Sequence, residues 1–509
     1  MRSGVLRRTI VLAVVISSAL VGAGVADAAR YIVLFHGKSV PRSAERAIAK
    51  AGGTLVYSYD RIGVALVDSD DPAFLSRLGN RYGVSSAFLS DDDDDDEHDE
   101  GDVQNAHEPR QGRLPNVPAT DGDTFSPFQW DLRQTGVTDA HAITGGSPAV
   151  LVGDLDSGVD YEHPDLRENL DLENSASCLG GVPNQAPDPI TGRLPFDDTL
   201  GHGTHTAGTI AAADNGLGTV GVAPNVRLAS VKVADSAGKI YPEAAICGFM
   251  WAATHGFDVT NNSYSVDKHV LDPARPERNG FYCRDDRGER VVITALRRAV
   301  SFAMRRGVTV VASAGNNNTD LANPPAGNQC LRLPVELPGV VGVSSESPIR
   351  QKTFNSNYGL GVIDLTAPGG DPLQPALPPA VPMPTGQVLS TWPTRLAAQP
   401  GVRLDGVAPY RNMFGTSSAA AHVSGVAALL ISRYGDNSPR NGRVKPRKVA
   451  AMLMSGATPI ACPPNPYVRE VIGPPPPLGG TYTANCYGRD RYNGFFGHGE
   501  VNALAAVGG

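Results

Sequence analysis

From Phe125 onward, short apolar runs rich in β-branched residues alternate with longer runs of helical periodicity. That alternation restricts the chain to an α/β fold, a mainly parallel sheet flanked by helices. Strands are predicted at 150–155, 228–233, 259–262, 308–312, 340–343 and 362–365, with helices at 204–213, 242–255, 291–306, 417–434 and 447–454. In such sheets functional groups collect at the carboxyl ends of the strands. Two proline-rich stretches, 368–409 and 462–477, interrupt the pattern and read as surface loops. There is no internal repeat.

The chain ahead of Phe125 divides into three. Arg2, Arg7 and Arg8 precede an apolar run from Ile10 to Val25, and Ala26-Asp27-Ala28 has the small-x-small form of an export cleavage site, so residues 1–28 read as a signal peptide. The run is short for a membrane anchor. Export through the general secretory route or, from Arg7-Arg8, the twin-arginine route is expected. Residues 29–90 carry strand, helix, strand, strand, helix and strand in a ferredoxin-like α+β order: Tyr31 to Phe35, Ser43 to Ala51, Thr54 to Tyr59, Gly63 to Val67, Ala73 to Gly79, and a last strand before the domain ends. Residues 91–124 open with nine acidic groups between Asp91 and Glu100 and continue polar, which predicts an unpacked, cleavable linker ahead of a domain spanning 125–509. This tract accounts for the net charge of −8, and no basic face for nucleic acid is left.

Six cysteines, Cys178, Cys247, Cys283, Cys330, Cys462 and Cys486, occur with no C-x-x-C pair, and in an exported chain they predict disulfides rather than a zinc site. Fifteen pairings are open. Proximity favours Cys462 with Cys486 and Cys283 with Cys330, leaving Cys178 with Cys247.

Four segments carry chemistry. Leu151 to Asp156 is a buried strand ending in a carboxylate, followed by Ser157-Gly158; a carboxylate there is costly without a partner. Asp154 lies on the same face, deeper in the strand. Gly201-His202-Gly203-Thr204-His205 opens a helix and presents His202 to a cleft, with His205 one turn on. Val310 to Asn316 ends a strand in small residues and an amide able to donate to an oxyanion. Finally Phe414-Gly415-Thr416-Ser417 is a tight turn into an apolar helix, which sets a hydroxyl at a helix amino end.

Asp156-Ser-Gly, His202-Gly-Thr-His-Thr-Ala-Gly, Ala314-Gly-Asn316 and Gly415-Thr-Ser417 through His422-Val-Ser-Gly425 occur in that order, and together they resemble the subtilisin family of serine proteases. The resemblance covers about Phe125 to Val507. It implies a secreted endopeptidase with Ser417 as nucleophile, His202 as base, Asp156 as the orienting acid and Asn316 in the oxyanion hole. Substrate would lie against Ser263, Tyr264, Ser265, Ser313, Ala314 and Gly315, although the strand Asn261-Asn-Ser263-Tyr264-Ser265-Val266 lacks the family's glycine pair. Ser418 and Ala421 replace the usual Met and Pro. Residues 31–89 resemble the family's inhibitory propeptide, which makes the chain a self-inhibited precursor. The loop Ala213 to Thr219 has the length of the family's calcium loop, so that Asp165 and Asn215, with carbonyls of Ala213, Leu217 and Thr219, form a candidate structural calcium site. No cofactor is needed for the chemistry. The expected partners are protein or peptide substrates and the chain's own propeptide, acting on a monomer with no nucleic acid and no stable membrane anchor. A catalytically silent binding protein would lack one of the four groups. An α/β-hydrolase esterase would need Gly-x-Ser-x-Gly, and Ala419 stands where the second glycine belongs.

Overall fold

The computed structural model describes residues 11–16, 29–82, 114–268, 271–374, 386–436, 444–471 and 480–509. They form two compact units, Met1–Arg113 with Asp436–Gly442, and Leu114–Gly435 with Arg443–Gly509.

The first unit contains β1 (Val11–Ile16), β2 (Ala29–Phe35), α1 (Ala44–Ala51), β3 (Thr54–Tyr59), β4 (Val64–Ser69) and α2 (Phe74–Tyr82), with an antiparallel sheet ordered β1-β2-β4-β3. Alternate residues Tyr31, Val33 and Phe35 of β2 bury against Ile48 of α1 and Phe74 and Leu78 of α2, the period-2 and helical stripes meeting in one small core. The predicted closing strand and the export cleavage site lie outside the described residues. The sheet edge beside β2 is held instead by β1, drawn from the apolar run read as a leader.

In the second unit, α3 (Trp130–Gln134) and α4 (Val137–His141) lead into β5 (Leu151–Asp156), β6 (Ala176–Ser177), α5 (His202–Ala211), β7 (Arg227–Lys232), α6 (Pro242–Thr254) and β8 (Val259–Asn262). There follow β9 (Tyr282–Cys283), α7 (Arg287–Arg305), β10 (Thr309–Ser313), β11 (Cys330–Leu331), β12 (Val341–Glu346) and β13 (Leu365–Pro368). The central sheet is ordered β13-β12-β10-β8-β5-β7-β6 and every pairing in it is parallel. The α/β expectation holds, with the strand at Val259–Asn262 as predicted and the other strand ends moved by one to three residues.

Past the sheet come β14 (Val388–Thr391), β15 (Val402–Asp405), β16 (Ala408–Met413), α8 (Thr416–Tyr434), α9 (Pro446–Gly456), β17 (Tyr467–Val471), β18 (Gly480–Ala484) and α10 (Ala503–Val507). Both proline-rich stretches therefore contain order that a loop assignment missed: a three-stranded antiparallel sheet β14-β16-β15 and a hairpin β17-β18. β14 pairs across a long excursion, Val388 opposite Met413, whereas β15 and β16 form a tight hairpin in which Pro409 interrupts the alternating pattern. The start at Phe125 is also too late. Leu114 is already 3% exposed within the main core, and Asn116 donates to Ser432 O at 3.0 Å.

Strand pleating decides what faces the site. Val152, Asp154 and Asp156 point to the face covered by α5 and α8, as Thr206 of α5 shows by donating to Asp154 Oδ2 at 2.7 Å. Leu155 points the other way, against Gly248 of α6. Helix α8 is buried almost throughout, and its small residues Ala419 to Ala421 and Gly425 let it lie close to the sheet and to Val222. Disulfides join Cys178 to Cys247, Cys283 to Cys330 and Cys462 to Cys486, the pairing favoured by proximity.

Candidate active site

Asp156 ends β5 and His202 opens α5, and the fold sets them in contact: His202 Nδ1 lies 2.6 Å from Asp156 Oδ1, which also accepts from Ser157 N at 2.7 Å. Asp156 is buried and the His202 side chain is 32% exposed, so the ring reaches the surface with its carboxylate partner behind it. Asp198 holds the helix start, its Oδ1 accepting from Leu200 N and Gly201 N and its Oδ2 from Thr204 N, all at 2.9 Å. A carboxylate there satisfies amide groups a helix start leaves unpaired. Ser157 Oγ completes the cradle, donating to Asp198 and accepting from Gly203 N. Asp198 carries no motif of its own, because its role is to position others.

Burial by itself lowers the basicity of His202, but the Asp156 carboxylate at its Nδ1, with Asp154 and Asp198 beyond, more than offsets this and raises the ring above its ordinary pKa. Burial, then the neighbouring Asp156 charge, pushes Asp154 up to about 8. Asp154 accepts from Thr206 Oγ1 at 2.7 Å and from Asn261 Nδ2 at 2.8 Å.

Ser417 sits in the first turn of α8. Gly415 before it has φ +145°, and a Cβ there would stand 3.0 Å from Asn316 Nδ2, so both the turn and the space exclude a side chain. Asn316 is exposed, and its Oδ1 accepts from Thr416 N at 2.9 Å. Because that N–H can only donate, the bond turns Asn316 Nδ2 outward as a free donor beside Ser417. Ser417 Oγ donates to Ser263 O at 3.1 Å, and Ser263 Oγ donates back to Ser417 O at 2.9 Å. Among the described residues, His202 Nε2 has no hydrogen-bond partner.

The segments past β8 and β10 flank this point. Gly315 N donates to Thr416 Oγ1 at 3.0 Å, and Ala314 O accepts from Asn357 Nδ2 at 2.8 Å. Ser313 is buried in the strand end. Tyr264 is 7% exposed, and its hydroxyl donates to Asn262 Oδ1 at 3.1 Å.

Residues 147–499 match the subtilase family. The chain belongs to that family. Subtilisin DY of Bacillus licheniformis is 30% identical over 286 residues, 56% of this chain and 77% of its own length. Subtilisin E of Bacillus subtilis is 30% identical over 295 residues, 58% of either protein. A lanthipeptide protease structure is 25% identical with a TM-score of 0.54, covering 77% of this chain and 99% of that one. The epidermin leader peptide processing serine protease of Staphylococcus aureus, at 19% identity and a TM-score of 0.63 over 94% of this chain and 98% of that one, shows the fold alone. This subtilase is a serine endopeptidase, a hydrolase of peptide bonds.

The subtilase also has oxygens that suit a hard cation. Asp165 is fully buried with Oδ1 unpaired, and Thr219 Oγ1 and Asp123 Oδ2 are buried and unpaired beside the same loop. Burial, opposed by the Tyr410 hydroxyl as donor and reinforced by the Asp123 charge, raises Asp165 to about 9. Ala213 N donates to Asp165 O, which fixes the loop start against Asp165. Asn215 is exposed, its amide donating to Glu168 and its Oδ1 accepting from Leu217 N. Leu217 packs on the Tyr410 cluster. The oxygen set fits calcium, with Asp123 closer to the role first given to Asn215. Asp123 fell in the predicted linker and carried no motif.

Proposed function

We propose that the chain is a secreted, self-inhibited serine endopeptidase working through Asp156, His202 and Ser417. The 2.6 Å contact between Asp156 Oδ1 and His202 Nδ1 carries this reading, since it leaves Nε2 as the free basic nitrogen at the surface of the site. In this mechanism Ser417 Oγ leaves Ser263 O and turns about χ1 to meet that nitrogen. Oγ then attacks the peptide carbonyl as its proton passes to His202, and the proton returns to the leaving amine as the C–N bond breaks. Water, deprotonated by the same ring, releases the acid and restores Ser417. Asn316 Nδ2 and the Ser417 N–H hold the oxyanion.

Labelling with a fluorophosphonate tests this: wild type is modified at Ser417 and sheds its N-terminal unit, whereas Ser417→Ala does neither. A folded wild type that resists labelling ends the protease reading. A Ser417→Ala variant that still matures ends self-processing.

Asn316→Ala is expected to lower kcat by about 10²- to 10³-fold, roughly 2.7–4 kcal/mol, with KM little changed. A matching rise in KM in steady-state assays would mean that Asn316 binds ground-state substrate instead.

Asp123, Asp165 and Thr219, with loop carbonyls of Ala213 and Leu217, would hold calcium, which would stiffen the loop and supply no chemistry. Chelation should then lower the melting temperature by several degrees, about 2.7 kcal/mol at a hundredfold excess of ion over Kd. Calorimetry showing no change with chelator present would remove calcium from the account. Export is supported by the leader-like N-terminus and three disulfides, and the propeptide role by the separate core of the first unit.

A further inference from the structure

The residues nearest Ser417 on its β8 and β10 sides are small and neutral, yet a guanidinium touches both. Arg332 Nε donates to Ser265 Oγ at 2.8 Å. A Cβ at Gly315 would lie 2.9 Å from the same nitrogen, and one at Gly280 would lie 2.8 Å from Nη1. The backbone puts the arginine there firmly: Val266 N donates to Leu333 O at 2.8 Å, and Cys330 is tied to Cys283. The Phe281 ring lies 5.7 Å from the guanidinium carbon, an apolar face against the flat cation.

The charge has no direct counter-ion. Among the described residues no carboxylate lies within ion-pair distance of Arg332, and Nη2 has no acceptor. The nearest acids are occupied: Asp267 accepts from Lys239 Nζ at 3.1 Å and from Ile240 N at 3.0 Å. Glu336 accepts the Arg332 backbone N–H at 2.5 Å. Burial, foremost, pushes Glu336 up to about 7, which weakens it further as a counter-ion near neutrality. The Arg332 side chain is partly exposed. A half-buried guanidinium without a carboxylate is costly, and an incoming anion gains from bonding to it.

With Ser417 as nucleophile, the substrate residue that supplies the acyl carbonyl would lie beside Ser263 and Gly315, within reach of the guanidinium that touches Ser265 and Gly315. We propose that Arg332 is the specificity residue of this site, its guanidinium binding the carboxylate of an aspartate or glutamate immediately before the scissile bond. This rests on the reading of Ser417 as nucleophile, and adds to it the substrate class.

The test compares two peptides identical except for Glu or Gln before the scissile bond, each assayed on mature enzyme titrated with fluorophosphonate. Charge and shape differ only at the carboxylate, so an arginine that merely props the loop gives equal rates. The expected kcat/KM ratio of Glu to Gln is about 10- to 100-fold, shrinking as salt screens the pair. Arg332→Met should bring the ratio to about one while Gln-peptide cleavage and labelling persist, and Arg332→Lys should restore part of it. Wild type that labels fully yet cuts both peptides equally, or prefers Gln, overturns the proposal and leaves the protease reading standing. That comparison needs no variant, so a misfolded Arg332→Met does not blunt it. Wild type that neither labels nor cuts removes both readings together.

Discussion

Ser417→Ala lowers turnover of a peptide substrate by about 10⁶-fold while the fold is kept. Among the described residues the hydroxyl makes one hydrogen bond, to Ser263 O at 3.1 Å, and it does not cap α8, so its removal leaves little structural damage to confuse the result. What disappears is the covalent route; binding and the oxyanion donors remain, which leaves a residual rate above that of water. The double variant Ser417→Ala/His202→Ala should lose hardly more, because nucleophile and base act as one unit. Rates are compared after the same added protease has removed the N-terminal unit from every variant. Activity within about a hundredfold of wild type, or a strictly multiplicative double variant, would show that Ser417 is not the attacking group.

Asp156→Asn is expected to cost about 10⁴-fold at neutral pH and to move the pH profile. In the native site Asp156 accepts from His202 Nδ1, which fixes the tautomer with Nε2 bare and favours the imidazolium. An asparagine amide turned to donate at Nδ1 shifts the ring proton to Nε2, where it blocks attack. The sign of the pH effect follows from the direction of the shift. The ring must be neutral to act as base, and its pKa is raised in the fold, so wild-type kcat/KM climbs with pH through a midpoint above the ordinary 6.5. Without the charge that midpoint should fall toward 6.5, since burial then meets only the weaker opposition of Asp154 and Asp198. The same raised pKa means that the Asp156–His202 pair adds to stability fully below the unfolded value and loses that contribution as pH rises through the folded one. Profiles from pH 5 to 10 for both proteins decide it, and an unmoved midpoint would show that Asp156 does not set the basicity of His202.

Other features of the chain differ in how far they can be read from local pattern. The strand at 151–156 and the helix at 416–434 are apolar runs with one clear period, and both appear within a residue of expectation. The sheet β14-β16-β15 is harder, because Pro409 disguises β16 and β14 finds its partner only across a long excursion, Val388 opposite Met413, although β15 and β16 form a tight hairpin. Leu114 to Asp123 looks like solvent-exposed linker by composition, yet it docks through a handful of specific bonds, such as Thr120 Oγ1 to Asp214 at 2.7 Å. Arg332 carries no motif at all, and only its neighbours give it meaning.

The order of residue types along the chain was enough to give the α/β class and the cysteine partners and to single out the groups proposed to react, since strand-end and helix-start chemistry is written in short contiguous stretches with fixed local geometry. Folding alone decided which atoms meet: the 2.6 Å contact across 46 residues between Asp156 and His202, the outward turn of the Asn316 amide by Thr416, and the cation set between Ser265 and Gly315. Those juxtapositions depend on strand order and loop closure, which sum many weak long-range contacts, and no local stretch of sequence contains that sum.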